Sequence, residues 1–281
     1  MDIGEKSLSH LQAIFLGILQ GLTEFLPVSS SGHLVLAQYF LELREVEIIF
    51  DLVLHLGTLI ATIGFFGSSF RNMAREGYVA FGDKKNGLSW ADILRQRPDA
   101  KLLWLVIIGS IPTALIGLLF RHQLEATFAN VKMVGWHLLA TAILLLATLI
   151  VRRRQGRNID NMRLLDALII GIAQGVAIIP GISRSGMTIA VGLLLGLDRE
   201  LAARYSFVLS VPAIAGAFAL QAIKHSIPIA SLSTLFLGFI AALLCGLAAL
   251  AFLMPVVRRG RIYLFSFYLL PLAFGALWLV K

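Results

Sequence analysis

Apolar residues run along this chain in blocks of about twenty, the length a helix needs to cross about 30 Å of hydrocarbon. Six unbroken blocks lie at about 46–66, 102–120, 131–151, 202–222, 232–254 and 262–280. Two more, 10–43 and 164–197, are long enough to span but are interrupted midway by proline, glycine and serine, and each reads as helix, break, helix. Irregular backbone at membrane depth survives only where protein or a wet cavity covers it, so both are predicted to be re-entrant hairpins that enter and leave on one side. The expectation is an all-α integral membrane protein, one membrane domain over 1–281.

Composition agrees. Of 281 residues 58% are hydrophobic and 14% charged, against about a quarter charged in soluble domains. The N-terminus lacks a basic stretch followed by a short apolar run and a small-residue cleavage site, so no removable signal peptide is expected. The single cysteine, Cys245, lies in an apolar run and reads as a small buried hydrophobe. The formal charge of +8 comes from basic residues at the ends of apolar blocks, where topology places them, which makes nucleic acid an unsuitable partner. With both hairpins re-entrant, the loops 67–101, 152–163, 198–204 and 255–261 share one side and hold seventeen Lys and Arg, against six on the other. That bias predicts the first side to be cytoplasmic and both termini to lie outside. Trp104, Trp136 and Trp278 read as interface or lipid contacts, and Asp166 is given no role.

The chain also repeats itself. Shifted by 154 residues, QGLTEFLPVSSSG (20–32) lies over QGVAIIPGISRSG (174–186), matching Gln20 with Gln174, Gly21 with Gly175, Ser29 with Ser183, Ser31 with Ser185 and Gly32 with Gly186. Ser30 falls on Arg184. Repeat 1 (8–151) and repeat 2 (164–281) each hold a hairpin and three spans. Three is odd, so the second copy is predicted to be inserted upside down, giving an inverted-topology repeat whose breaks meet near the midplane. Helix N-termini and serine hydroxyls at such a point favour an anion. The same layout serves secondary transporters and lipid flippases, which stand as the alternative.

Together, QGLTEFLPVSSSGH and PGISRSG resemble the BacA/UppP family of undecaprenyl-diphosphate phosphatases, and the resemblance extends over essentially the whole chain. It implies an integral-membrane phosphatase that removes the terminal phosphate of undecaprenyl diphosphate on the outer face of a bacterial cytoplasmic (inner) membrane. That reaction recycles the lipid carrier for cell-wall glycans and confers bacitracin resistance. The implied partners are a polyprenyl diphosphate substrate and membrane lipids, with a homodimer left open.

The residues suggest chemistry of their own. A carboxylate in a membrane segment costs at least about 2.5–3.5 kcal/mol, so Glu24 should face a cavity, a partner or a cation, and it reads as a metal ligand or catalytic acid/base, the alternative being a helix-break or packing role. Gln20, one turn earlier, shares its face and would join it in holding Mg²⁺ or Ca²⁺; family sequences often carry Glu there, and the change removes one negative charge. His33 is the acid/base candidate. Ser30 is the nucleophile candidate, activated by His33, with direct attack by water or by His33 left open. Ser29 and Ser31 are expected to bond phosphate oxygens or cap the next half-helix. Arg184 offers a bidentate fork to phosphate, the alternative being an ion pair with Glu24. Ser183, Ser185 and Thr188 are secondary donors, and Gly181 and Gly186 are expected to permit close backbone approach at positive φ. Asp51 and His55, at i and i+4 in the next span, read more as a structural Asp-to-His hydrogen bond than as support for the site.

Overall fold

The computed structural model describes residues 8–40, 48–120, 131–152, 155–222 and 232–279. Lys6, Arg44, Arg121, Arg153, Arg154, Lys224 and Lys281 of the charge pattern, and the outer ends of hairpin 10–43 and of the blocks 46–66 and 262–280, lie outside them. Among the described residues the regular elements are helices: α1 (His10–Phe25), α2 (Ser30–Phe40), α3 (Ile48–Phe65), α4 (Gly67–Lys85), α5 (Trp90–Gln96), α6 (Pro98–Leu119), α7 (Val131–Ala147), α8 (Leu164–Val176), α9 (Arg184–Leu194), α10 (Arg199–Ala222), α11 (Leu232–Arg258) and α12 (Ser266–Leu279).

Four of these segments, Pro98–Leu119, Lys132–Val151, Arg199–Leu220 and Leu232–Arg258, are long and apolar enough to cross a membrane. The pair α3–α4, bent by 71° at its junction, passes the same test only if taken together as one span, while 262–278 is apolar but shorter. Large apolar side chains cover the outside of these helices, Ile111, Leu115, Phe236, Phe252 and Phe274 among them. In water such a surface would drive aggregation; in a bilayer it is the solvated face. This is a multi-pass membrane protein.

Where lipid lies outside, helices gain little from burying more oil and associate through close backbone approach. α1 lies against α11 in this way: a Cβ added at Gly17 would come within 2.5 Å of the Gly238 carbonyl oxygen, and one at Gly21 within 2.6 Å of that of Ala242. Cys245 is half-buried at this contact, not enclosed as expected. The segment 67–101 forms two helices. α4 carries Arg71, Arg75, Lys84 and Lys85 with exposed Tyr78 and Phe81, the pattern of a helix lying in the membrane interface. Trp104 stands edge-to-face with Trp90 of α5, so it braces this region rather than meeting lipid alone. Asp166, given no role from sequence, accepts both Arg157 terminal nitrogens, at 2.8 and 2.9 Å, and caps α8 through the Arg163 N–H.

Both interrupted blocks break where expected. α1 stops at Leu26, extended at φ −62°, ψ 142°, because a residue before proline is driven out of the helical region. The chain turns through Pro27 and Ser29, the latter at φ +71°, and α2 begins at Ser30. α8 ends at Val176, and the loop through Pro180 and Gly181 leads to α9. Gly181 has φ +91°, and a Cβ there would meet the Val134 carbonyl oxygen and the His137 Cβ, each at 2.8 Å. Close approach and positive φ thus fall together on Gly181. Gly186, expected to share that role, lies inside α9 at negative φ, where a Cβ would instead press Ser183 and Pro27.

Candidate active site

Ser29 and Ser183 occupy matching positions and make matching bonds. Ser29 Oγ accepts from the Gly32 N–H at 3.2 Å, and Ser183 Oγ accepts from the Gly186 N–H at 3.1 Å. Each caps the helix that leaves its loop, the alternative foreseen for Ser29. Ser185 Oγ donates to the Leu26 carbonyl at 3.2 Å, and the Gly181 N–H donates to Ser31 Oγ at 3.4 Å. The two broken segments therefore interlock directly. α7 holds the second loop from behind: His137 Nδ1 donates to the Pro180 carbonyl at 2.7 Å, and Thr141 Oγ1 accepts from the Ser183 N–H at 3.2 Å.

Glu24, on the last turn of α1, is the focus of this junction. It is 7% exposed, and its carboxylate gathers three donors. Arg184 Nη2 reaches Oε1 at 2.5 Å, Ser30 Oγ donates to Oε2 at 2.5 Å, and Gln20 Nε2 donates to Oε2 at 3.1 Å. Such charge-assisted bonds hold a buried carboxylate that would otherwise be expensive. The ion pair entertained as the second reading of Arg184 is thus present, within a cluster that also contains Ser30.

Four expectations change. Ser30 was paired with His33 from sequence, but its hydroxyl bonds Glu24, which the end of α1 brings against the start of α2. His33 Nδ1 donates to the Ser29 carbonyl at 2.8 Å, and its Nε2 meets the Tyr268 hydroxyl at 2.7 Å. Thr188, expected as a phosphate donor, is 1% exposed and bonds the Arg184 carbonyl and the Ser206 hydroxyl, so it supports α9 against α10. His55 donates from Nδ1 to the Asp51 main-chain carbonyl at 2.8 Å, and its Nε2 lies 3.9 Å from Glu24 Oε2. Local spacing suggested a bond between the Asp51 and His55 side chains; the fold instead aims the ring at Glu24. Ser185 is 2% exposed and engaged with Leu26 and Ser183, a strut between the loops.

Comparison with known proteins decides the family. The chain matches the family described as bacitracin resistance protein BacA over residues 13–275. It belongs to that family. Among its relatives are proteins called undecaprenyl-diphosphatase from Desulforapulum autotrophicum, 43% identical over 92% of this chain and 93% of the relative, and from Methanosphaera stadtmanae, 41% identical over 93% and 94%. A third, of the same description, from Moorella thermoacetica, is 40% identical over 94% and 95%.

Within this BacA chain one site neighbour escaped the sequence reading, Tyr268, 235 residues from His33, while His55 takes the site-facing role that its spacing from Asp51 ranked second. No motif marks Tyr268; only its position on an apolar helix, where a hydroxyl calls for a partner, was a signal. The oxygen donors fit a hard cation: Gln20 Oε1 is buried without a hydrogen-bond partner one turn from Glu24. No group of three or more His, Cys, Asp or Glu is placed to hold a metal among the described residues. A cation here would rest on one carboxylate and one amide oxygen, with ligand oxygens completing its shell, the usual pattern for Mg²⁺. A cavity of about 550 Å³ lies elsewhere, lined in part by Phe66, Ser69, Asp99, Glu200, Arg204 and Arg258, and none of the Glu24 cluster borders it.

Proposed function

We propose that this protein hydrolyses undecaprenyl diphosphate to undecaprenyl phosphate and inorganic phosphate, recycling the lipid carrier for cell-wall glycan synthesis and conferring bacitracin resistance when abundant. Membership of the BacA family and the names of its relatives support the substrate. The observation that carries the chemistry is the meeting of Arg184, Glu24 and Ser30, residues up to 160 positions apart, at one buried point.

In this reading the prenyl tail stays in the bilayer and the diphosphate enters between the loops. Arg184, at the first turn of α9, binds the terminal phosphoryl group with its fork and with the positive end of the helix behind it. Doing so draws the guanidinium from Glu24, leaving the carboxylate as the acceptor beside the Ser30 hydroxyl. Ser30 Oγ attacks the terminal phosphorus while its proton passes to Glu24. The new Oγ–P bond forms as the bridging P–O bond breaks, and undecaprenyl phosphate leaves. Water then attacks the phosphoserine, giving a proton to His33 Nε2; the P–Oγ bond breaks, Glu24 returns its proton to Ser30, and His33 passes its proton to the departing inorganic phosphate. Mg²⁺ or Ca²⁺ held by Glu24 and Gln20 would offset phosphate charge.

The inverted repeat belongs to the same proposal, with repeat 1 at 8–151 and repeat 2 at 164–281, and matching serine caps at Ser29 and Ser183 support it. So does a site opening on the extracytoplasmic side of the inner membrane, supported by the basic bias of the opposite loops. The test is inorganic phosphate release from undecaprenyl diphosphate by detergent-purified protein. Wild type should release phosphate, and Ser30→Ala should fall to the level of Arg184→Ala. Release by wild type no greater than by Arg184→Ala would overturn the proposal.

A further inference from the structure

His33 is held at both ring nitrogens, and only one of those contacts is local. A carbonyl can only accept, so the 2.8 Å contact from Nδ1 to the Ser29 carbonyl places the ring proton on Nδ1. Nε2 then carries the lone pair, and the Tyr268 hydroxyl, 2.7 Å away, donates to it. The two rings lie nearly parallel, 9° apart, with centroids at 5.7 Å. Tyr268 is half exposed on an otherwise apolar helix, so phenylalanine would suit its surroundings equally well except for this one bond.

The helix that presents Tyr268 is itself anchored. Ser266, fully buried at the start of α12, donates to the Ala142 carbonyl of α7 at 3.0 Å, and Leu269 and Ala273 are buried in the core that includes Val134, Leu138 and Ala142 of the same helix. α7 also clasps Pro180 and Ser183 of the second loop. One rigid helix therefore sets the position of the Arg184 loop and of the hydroxyl facing His33.

We propose that Tyr268 is a positioning residue for His33: the Ser29 carbonyl sets the Nδ1–H tautomer, and the Tyr268 hydroxyl donates to Nε2 and holds the ring with that nitrogen ready to accept a proton until water or substrate takes its place. This rests on the reading of His33 as the group that accepts the proton of the attacking water. Nothing in the sequence around Tyr268 assigns it that task.

The experiment compares wild type, Tyr268→Phe, His33→Ala and the double variant in full-length detergent-purified protein. Tyr268→Phe keeps the ring and its packing and removes only the hydroxyl. Phosphate release from undecaprenyl diphosphate should show kcat reduced by about 10- to 100-fold in Tyr268→Phe with KM unchanged, the size of effect typical when a partner orienting a histidine is lost. The double variant should be no slower than His33→Ala, because the hydroxyl has no route to the reaction except through that ring. Independently of activity, ¹⁵N NMR of labelled histidine should show the His33 Nε2 resonance of wild type at the position of a hydrogen-bonded acceptor, moved to that of a free acceptor in Tyr268→Phe. Wild-type kcat in Tyr268→Phe, an unmoved Nε2 resonance, or equal slowing of both the wild-type and His33→Ala backgrounds would overturn the inference. Full activity in His33→Ala would instead remove His33 from the mechanism, and the Nε2 resonance would still judge the Tyr268 contact.

Discussion

Removing the Arg184 side chain should cost stability as well as activity, and the geometry sets the size of both. Arg184 Nη2 and Glu24 Oε1 are 2.5 Å apart, with side chains 18% and 5% exposed. Charge centres about 4 Å apart attract by about 4 kcal/mol at an effective dielectric constant of 20. Arg184→Ala strands the carboxylate among Ser30 and Gln20, and breaking a buried pair in this one-sided way costs about 3–5 kcal/mol. Soluble chains of comparable size lose about 2–4 °C of melting temperature per kcal/mol, so a drop of about 6–20 °C is expected. Glu24→Gln introduced into Arg184→Ala removes the stranded charge and should recover most of that loss. Phosphate release should stay depressed by at least about 10²–10³-fold in both variants, since a preorganised donor to the phosphoryl group is gone. Melting followed by tryptophan fluorescence in one detergent, alongside phosphate release, reads both quantities. If Arg184→Ala melts with wild type, or if Glu24→Gln lowers the melting point further in that background, the ion pair does not carry the buried charge and the reasoning fails.

Three further outcomes follow from individual contacts. Gly181→Ala must hold an alanine at φ +91° with its Cβ 2.8 Å from the Val134 oxygen, which should cost at least about 1–3 kcal/mol and lower both melting temperature and phosphate release; unchanged values would show that the loop tolerates a shift there. His55→Ala removes the ring 3.9 Å from Glu24 and should lower kcat/KM about tenfold, a loss of the order seen when an outer partner of a site is deleted; an unchanged kcat/KM would exclude His55 from the site. Chelation should suppress activity if a cation sits at Glu24 and Gln20, and Gln20→Glu, by adding a charged oxygen ligand, should lower the Mg²⁺ concentration for half-maximal rate about tenfold; chelator-resistant activity would refute the cation.

Much of the fold was legible because lipid imposes blunt requirements. A span needs a long apolar run, and a break at membrane depth needs Pro, Gly and Ser, so both interrupted blocks and their turning points at 26–29 and 177–183 could be read directly. Short-range chemistry was legible too: Gln20 and Glu24 one turn apart do touch, and Ser29 caps the helix that follows it. The block 46–66 was read to stop where the α3 helix does, beside Gly67, Ser68 and Ser69, but the helix α4 that follows at a 71° bend was read only as a basic loop, because its charges mask its structure.

What the sequence by itself determined is the set of polar residues placed within apolar blocks, since each must find a partner where water is scarce. What only the tertiary structure decided is which partner each one found. Ser30 went to Glu24 because the turn at 26–29 sets the start of α2 against the end of α1; His33 went to a tyrosine 235 residues away because α7 holds α12 against the loops. His55 reached Glu24 for the same reason, through packing of α3 that its own spacing from Asp51 does not reveal. Burial cost acts residue by residue and can be read along a chain, whereas hydrogen-bond choice depends on which ends of distant helices arrive within about 3 Å of each other.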